Sequence, residues 1–306
     1  MIVRPRLNWL QMLFVWRGSV LNQILPRLVF ILLISVGAVV WRGEVFDIKV
    51  QLNPTPFTLI GVALAIFLGF RNSTSYDRFW EARKLWGSLL NDSRSLARQV
   101  RSLGDLKPGD PRVREFVYTL MAVAHALRHQ LRGSDPTDDL KRLLPAQEAA
   151  RVASAKYRPV ALLDALGQWV RERKSEGLLD SISAVAIDQN LSNLSTIVGG
   201  CERIAGTPLP VSYAVMIHRT VYIYCILLPF GLVDNIGWMT PVMSVFVAYS
   251  YMALEALAGE LEDPFGTGAN DLALDAMSRT IESSLREIIG EEALEDLPIP
   301  DSFIVL

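Results

Sequence analysis

Four stretches of the chain carry no charged residue and consist mainly of apolar side chains, which narrows the available folds more than any other feature. They cover residues 28–41, 57–70, 220–233 and 237–254. Only the fourth reaches the roughly 18 residues expected of a membrane-spanning helix, because runs of about 10–14 are more often buried core. Four spanning helices and a soluble helical bundle are therefore both open at this point.

Uncharged or small neighbours lengthen the three short stretches and favour the membrane. Most residues added by extension to 24–41, 57–75 and 211–233 are of this kind. Trp41, Trp238 and several tyrosines are suited to the aromatic belt at a membrane surface. The mean hydropathy of +0.28 agrees with four modest spans joined to a large charged region. We expect four transmembrane helices.

The distribution of basic residues predicts the orientation of these helices. Four arginines and no acidic residue precede the first stretch, and residues 71–101 carry seven basic against three acidic residues. Basic residues collect on the cytoplasmic side of a membrane. We therefore expect both termini and the long middle segment in the cytoplasm, and the protein itself in the cell (inner) membrane. The chain has two cysteines, Cys201 and Cys225, and both are expected to be unpaired, small buried residues. Unpaired cysteines agree with the reducing cytoplasm.

Helical periodicity runs through the polar segments, and no alternating strand pattern is present, so the predicted fold class is all-α. The predicted parts are a cytoplasmic N-terminal arm (1–23), transmembrane helices 1 and 2 (24–75), a cytoplasmic helical region (76–210), transmembrane helices 3 and 4 (211–254) and a cytoplasmic C-terminal helix with an acidic docking tail (255–306). From residue 255 onward, the chain has thirteen acidic residues and only two basic ones. This part either packs on basic helices of its own or a neighbouring subunit, or is simply solvated.

The motifs of common enzymes are absent from the sequence, so we expect no enzyme. His125 and His129 share a helix face and could hold a metal, but no third ligand is evident and a packing role is favoured. His218, beside Arg219 at a membrane entrance, is expected to be structural. The formal net charge of −2 gives no reason to expect a nucleic-acid partner.

Val62, Ile66 and Phe70 lie four residues apart in the second apolar stretch, on one face of the predicted helix. Gly61 and Gly69 flank this stripe and would allow close helix packing. In a single chain such a stripe is ordinary core. If several copies surround an axis, it becomes a set of stacked apolar rings, and a narrow apolar constriction gates ions by dewetting.

Several dispersed motifs resemble the bestrophin family, in its bacterial branch. They are Trp16-Arg17-Gly18-Ser19, the segment from Phe70 to Trp80, Pro210 to Tyr213, Asp263-Pro264-Phe265-Gly266 and Asp296-Leu297-Pro298. Each motif is short, but together they follow the family's order over nearly the whole chain.

The resemblance implies a homopentamer in the lipid bilayer with one axial path for small monovalent ions. It places Val62, Ile66 and Phe70 at a hydrophobic neck and Ile182 at a cytosolic aperture, although one alignment gap would move the aperture to Leu179 or Ala186. Cations are slightly favoured as the permeant ions. The alternatives are a chloride- or anion-selective channel of the same architecture and a non-conducting membrane-anchored scaffold.

One departure from the family concerns calcium. In animal bestrophins, acidic residues after the PFG motif form part of a calcium clasp, whereas residues 266–271 here read GTGAND. Calcium needs about six oxygen ligands, usually with several carboxylates. We therefore expect no cofactor, and at most a weak cation site at Glu262, Asp263 and Asp271.

Overall fold

The computed structural model describes residues 8–16, 18–41, 43–45, 48–49, 54–106 and 109–295. The helices in these ranges are α1 (Trp9–Leu13), α2 (Leu21–Val40), α3 (Pro54–Leu103), α4 (Pro111–Arg132), α5 (Thr137–Leu143), α6 (Ala146–Ser154), α7 (Arg158–Ser175), α8 (Ser181–Gly206), α9 (Val211–Ile236), α10 (Thr240–Glu262) and α11 (Leu274–Ile288). The all-α prediction is confirmed. Arg17 and the Asp296-Leu297-Pro298 motif lie outside the described residues.

The connection between α2 and α3 contains an element that the sequence analysis did not predict. Strand β1 (Glu44–Val45) pairs antiparallel with strand β2 (Ile48–Lys49). Two residues per strand are too few for an alternating pattern to be recognised in the sequence.

The chain divides into two compact units. The apolar unit takes its described residues from 8–79 and 208–263, and the polar unit takes them from 80–207 and 264–295. Helix α3 contributes its first part to the apolar unit and its second part to the polar unit.

Within the described residues, three helical stretches are long and apolar enough to cross a membrane: Leu21–Val40, Thr55–Leu103 and Val211–Glu262. The third contains two helices, because a 3₁₀ turn over Gly237–Met239 separates α9 from α10 and the two helices pack on each other. Gly237 takes a positive φ of 49° at this turn, a conformation that favours glycine. The chain therefore has four transmembrane helices, as predicted.

The core of the apolar unit is built from all four of these helices. Its most deeply buried members are Ile24, Ile31, Leu68, Val221, Cys225, Ala248 and Met252. Burial of Cys225, like that of Cys201 in the polar unit, agrees with the predicted role of the cysteines.

Gly61 lets α3 approach α9 and α10 closely. The Tyr251 hydroxyl donates a hydrogen bond to the Gly61 carbonyl oxygen at 3.0 Å, and a Cβ placed on Gly61 would lie 2.9 Å from the Tyr224 hydroxyl oxygen. Gly69 is different, since a Cβ there would meet nothing within 4 Å. Of the two glycines expected to permit close packing, only Gly61 does so within the chain.

In the polar unit, α4 is the central helix and packs against α5, α7, α8 and α11. Asp110 caps its first turn by accepting a hydrogen bond from the Arg112 N–H at 2.9 Å, and Gly133 ends it in the left-handed conformation. Between these ends, residues 119–127 are all buried. The rings of Phe116 on α4 and Trp169 on α7 pack with their centroids 4.8 Å apart.

Acidic residues of the C-terminal part pair with basic residues of α4 and α5 in the same chain. Asp275 accepts from Arg132 at 2.8 Å, and Glu291 accepts from Arg114 at 2.8 Å. Glu282 lies between these two acidic residues in the sequence and is buried. It contacts Arg142 and lies 2.8 Å from Nε2 of His125. Packing of acidic residues on basic helices, one of the two interpretations of this charge pattern, is therefore confirmed within the described residues up to 291.

The contacts between His125 and Glu282 shift the pKa of each group toward its charged form. Burial raises the pKa of Glu282, but hydrogen bonds with His125 and Arg142 outweigh it and bring the pKa below its usual range. Burial lowers the pKa of His125, but the neighbouring carboxylates of Asp139 and Glu282 outweigh it and raise the pKa. The stability that Glu282 contributes is present above its unfolded-state pKa and is lost as the pH falls through the lowered one.

Glu282→Gln should lower the free energy of unfolding by about 3 kcal/mol, because it removes one charge from a buried, paired cluster and leaves Asp139 as the remaining carboxylate partner of Arg142 and His125. Thermal unfolding of the full chain in detergent at pH 7 measures the effect. Glu287→Gln, at an exposed position of the same helix, is the matched control and should be neutral. Equal melting temperatures for the two variants would contradict the prediction.

Gly61→Ala should destabilise the protein by about 1–3 kcal/mol, because the added methyl group pushes α3 away from Tyr224. Gly69→Ala is the matched control on the same helix and should be neutral or slightly stabilising, since alanine favours helix. The two melting temperatures in detergent check this. A tolerated Gly61→Ala would show that the close approach is not required.

Candidate functional site

The stripe formed by Val62, Ile66 and Phe70 is exposed. The three residues have exposed fractions of 57%, 53% and 64%, whereas Leu64 and Leu68 on the opposite side of α3 are buried in the core of the apolar unit. The interpretation of the stripe as core of a single chain is therefore wrong. The chain already has a core in this unit, and it uses the other face of α3.

Polar residues continue the face of α3 that carries the stripe. At 100° per residue, Ser73 and Asp77 fall within the arc of the three apolar residues, and at the other end Thr55 falls within it and Thr58 near it. All four are exposed. The carboxylate of Asp77 makes no hydrogen bond or ion pair with the residues that the structure describes. Asp77 was not predicted from the sequence, although it lies two helical turns beyond Phe70 on the same face.

Ile182 lies in the first turn of α8, in the polar unit, and is 83% exposed. Asp180 caps this helix by accepting hydrogen bonds from the backbone N–H groups of Ile182 at 2.7 Å and of Ser183 at 3.1 Å. Hydrogen bonds with Ser183 and the helix backbone hold the pKa of Asp180 below its usual value. The cap thus fixes the backbone that presents Ile182. Of the two alternative positions, Leu179 is buried and Ala186 is half-buried.

The three acidic residues predicted to form a weak cation site have other partners or stand exposed. Glu262 accepts from the Arg71 guanidinium at 3.4 Å and from the Leu209 N–H at 3.2 Å. Asp263 is exposed, and Asp271 accepts from the Gly268 N–H at 2.7 Å. No group of three or more His, Cys, Asp or Glu side chains is placed to hold a metal within the described part of the chain.

The two histidines considered as metal ligands belong to the ion-pair network of the polar unit. His129 lies 3.0 Å from Asp139 through Nε2, and Nδ1 of His125 lies 3.4 Å from the same carboxylate. Burial lowers the pKa of His129. Arg128 also contacts Asp139, at 2.6 Å. Both histidines thus lie beside carboxylates that are already paired with arginines, and Nδ1 of His129 contacts the Ser134 hydroxyl at 2.7 Å.

Comparison with known proteins gives one consistent family. Residues 1–287 match the model of the bacterial and fungal bestrophin proteins. The chain is 56% identical over 305 residues to a voltage-dependent anion channel-forming protein of Ralstonia nicotianae, with 100% of each chain covered. It is 41% identical over 301 residues to a protein of the same description from Escherichia coli K12, with 98% of each covered.

A solved structure agrees with both sequence comparisons. The crystal structure of a bacterial bestrophin homologue from Klebsiella pneumoniae has a TM-score of 0.84 and 42% sequence identity, covering 88% of this chain and 99% of the other. The resemblance seen in the dispersed motifs is confirmed. The chain is a membrane protein and belongs to the bestrophin family, in its bacterial and fungal branch.

Proposed function

We propose that this chain assembles around an axis into an ion channel and that Val62, Ile66 and Phe70 line the narrow part of the pore. The observation that carries the proposal is the exposed apolar stripe on a membrane-spanning helix whose opposite face is buried. The family, and relatives named as anion channel-forming proteins, support ion conduction. The resemblance supports five copies around the axis.

Polar ends distinguish this stripe from a surface that only meets lipid. A lipid-facing surface is favoured by apolar residues along the whole hydrocarbon core, and an uncompensated carboxylate beside it is costly. The face of α3 instead changes from Thr55 and Thr58 through Leu59 and the three stripe residues to Ser73 and Asp77. That order suits a water-filled path with a dry constriction in its middle.

The apolar neck would act by excluding water rather than by binding ions. Three stacked rings carry no charge or hydrogen-bonding group, so an ion passes only when the constriction is wide enough to hold water. We place a second constriction at Ile182, because it projects from a capped helix end and is more exposed than either neighbouring alternative. Small monovalent ions are the permeant species in this proposal.

The sign of the permeant ion is a separate question, since apolar rings do not select charge. Asp77 supports the expected cation preference, because five copies would form an acidic ring on the same face as the neck. The names of the relatives favour the alternative of an anion channel. The proposed location is the cell (inner) membrane with both termini in the cytoplasm, as the distribution of basic residues predicts.

Replacing Ile66 and Phe70 together by alanine should widen and hydrate the neck. Lowering the barrier by about 1.4 kcal/mol would raise the conductance or the open probability about tenfold. Single-channel recording in planar bilayers measures both. Phe67→Ala is the matched control, because Phe67 lies on the same helix but off the stripe.

Two outcomes would contradict the neck assignment. Either unchanged single-channel behaviour of the double variant or an equal effect of Phe67→Ala would remove the stripe from the pore. A stable oligomer of the wild-type protein without ion flux under any salt gradient would instead support the non-conducting scaffold.

Asp77→Asn should reduce the cation preference several-fold, because it removes one negative charge per subunit next to the neck. Reversal potentials in liposomes under KCl gradients give the permeability ratio of the variant and the wild type. Asp164→Asn, on an exposed face of α7, controls for a general loss of charge. A wild-type reversal potential near the chloride equilibrium potential would contradict the cation preference and support the anion channel.

A further inference from the structure

A polar cavity of about 350 Å³ lies among the four helices of the apolar unit, and no residue of the pore stripe lines it. Its polar lining residues are Gln23, Arg27, Arg71, His218, Glu255 and Glu260. The volume is at the lower end of the range for small-ligand pockets. No part of the proposed conduction mechanism uses this cavity.

The uncharged stretches place this cavity at one surface of the membrane. Arg27 immediately precedes the first stretch, Arg71 follows the second, His218 lies two residues before the third, and Glu255 follows the fourth. Charged residues next to the ends of spanning helices mark the level of the lipid headgroups. The excess of basic residues assigns this level to the cytoplasmic leaflet.

Two deeply buried polar groups of the cavity have an atom without a partner. Arg71 is 7% exposed, and although its Nη2 contacts Glu262, its Nε has no hydrogen-bond partner among the described residues. Glu255 is 9% exposed; its Oε1 lies 2.6 Å from Nδ1 of His218, and its Oε2 has no partner among those residues. A buried polar atom left without a partner costs about 1–3 kcal/mol.

A ligand that satisfies both atoms must offer an acceptor to a guanidinium and a donor to a carboxylate. A phosphate group accepts charge-assisted hydrogen bonds from arginine, and a primary ammonium group donates them to a carboxylate. A lipid with only negative charge would meet Glu255 and Glu260 in the same cavity. A choline group has no N–H to donate to Glu255.

We propose that this cavity binds the phosphoethanolamine headgroup of a membrane lipid, with the phosphate at Arg71 and Arg27 and the ammonium at Glu255. The position of the cavity at headgroup level favours a lipid over a soluble molecule of the same chemistry. Basic residues between transmembrane helices at the cytoplasmic side are a recognised setting for headgroup binding. Binding here does not depend on ion conduction, so this proposal and the channel can fail separately.

The test uses the full chain in nanodiscs that contain equal amounts of phosphatidylethanolamine and phosphatidylcholine with the same acyl chains. Native mass spectrometry counts the lipids retained on the protein. We expect about tenfold preference for phosphatidylethanolamine, the value of one charge-assisted hydrogen bond. The N-methyl and N,N-dimethyl lipids should be retained progressively less, because each methyl group removes one N–H donor.

Glu255→Gln should bring the preference close to one, and Arg27→Gln, at an exposed position, should weaken retention without disturbing the buried cluster. Arg219→Gln is the matched control, because Arg219 lies at the same membrane boundary but does not line the cavity. Equal retention of the two lipids by the wild-type protein, or a preference that survives Glu255→Gln, would overturn the proposal.

Titration of free O-phosphoethanolamine into the detergent-solubilised protein tests the source of the ligand. The free molecule could bind in a way that requires Glu255 while nanodiscs retain the two lipids equally. That combination would overturn the lipid as the ligand. Failure of the free molecule to bind at millimolar concentration, with the lipid preference intact, supports the lipid.

Discussion

The close packing of α3 in the apolar unit is the constraint on which the candidate pore depends. Leu64 and Leu68 bury one face of this helix among α2, α9 and α10, and the hydrogen bond from Tyr251 to the Gly61 carbonyl oxygen holds its rotation. A helix has only one orientation that satisfies both contacts. The face with Val62, Ile66 and Phe70 is therefore directed away from the chain's own core, and the exposure of these residues follows from what the opposite face must bury.

In the polar unit, charge pairs fix the position of the C-terminal segment. Its C-terminal segment returns to α4 and α5 through charge pairs around buried His125 and Glu282. Burying such groups is costly unless each charge is paired, and here Glu282 pairs with both Arg142 and His125. The apolar unit is thus stabilised by apolar packing with one close glycine, and the polar unit by a network of paired charges.

Much of this architecture could be predicted from the sequence because the relevant signals are local. Uncharged stretches indicate spanning helices wherever they fold, and the charge imbalance after residue 255 made packing on basic helices one of two interpretations. Other features depend on contacts that the sequence does not display. Gly61 and Gly69 look equivalent in the sequence, yet only Gly61 meets a neighbouring helix. Whether the apolar stripe belongs to the core or the surface was decided by the packing of Leu64 and Leu68. Asp77 was overlooked because the stripe was followed only to the end of the uncharged stretch.

The spacing between the neck and Asp77 determines how the two can cooperate. Seven residues separate Phe70 from Asp77, which corresponds to about 10 Å along a helix at 1.5 Å per residue. This distance is close to the Debye length at 0.1 M salt, so in the proposed channel a ring of Asp77 carboxylates would still act on an ion that enters or leaves the constriction. Near the apolar neck the effective dielectric constant is lower than in bulk water, which strengthens the interaction. At molar salt the Debye length falls to about 3 Å and the ring is screened. In the proposed channel, the apolar stripe would therefore control whether ions pass, while a charge two turns away would bias which ions reach it.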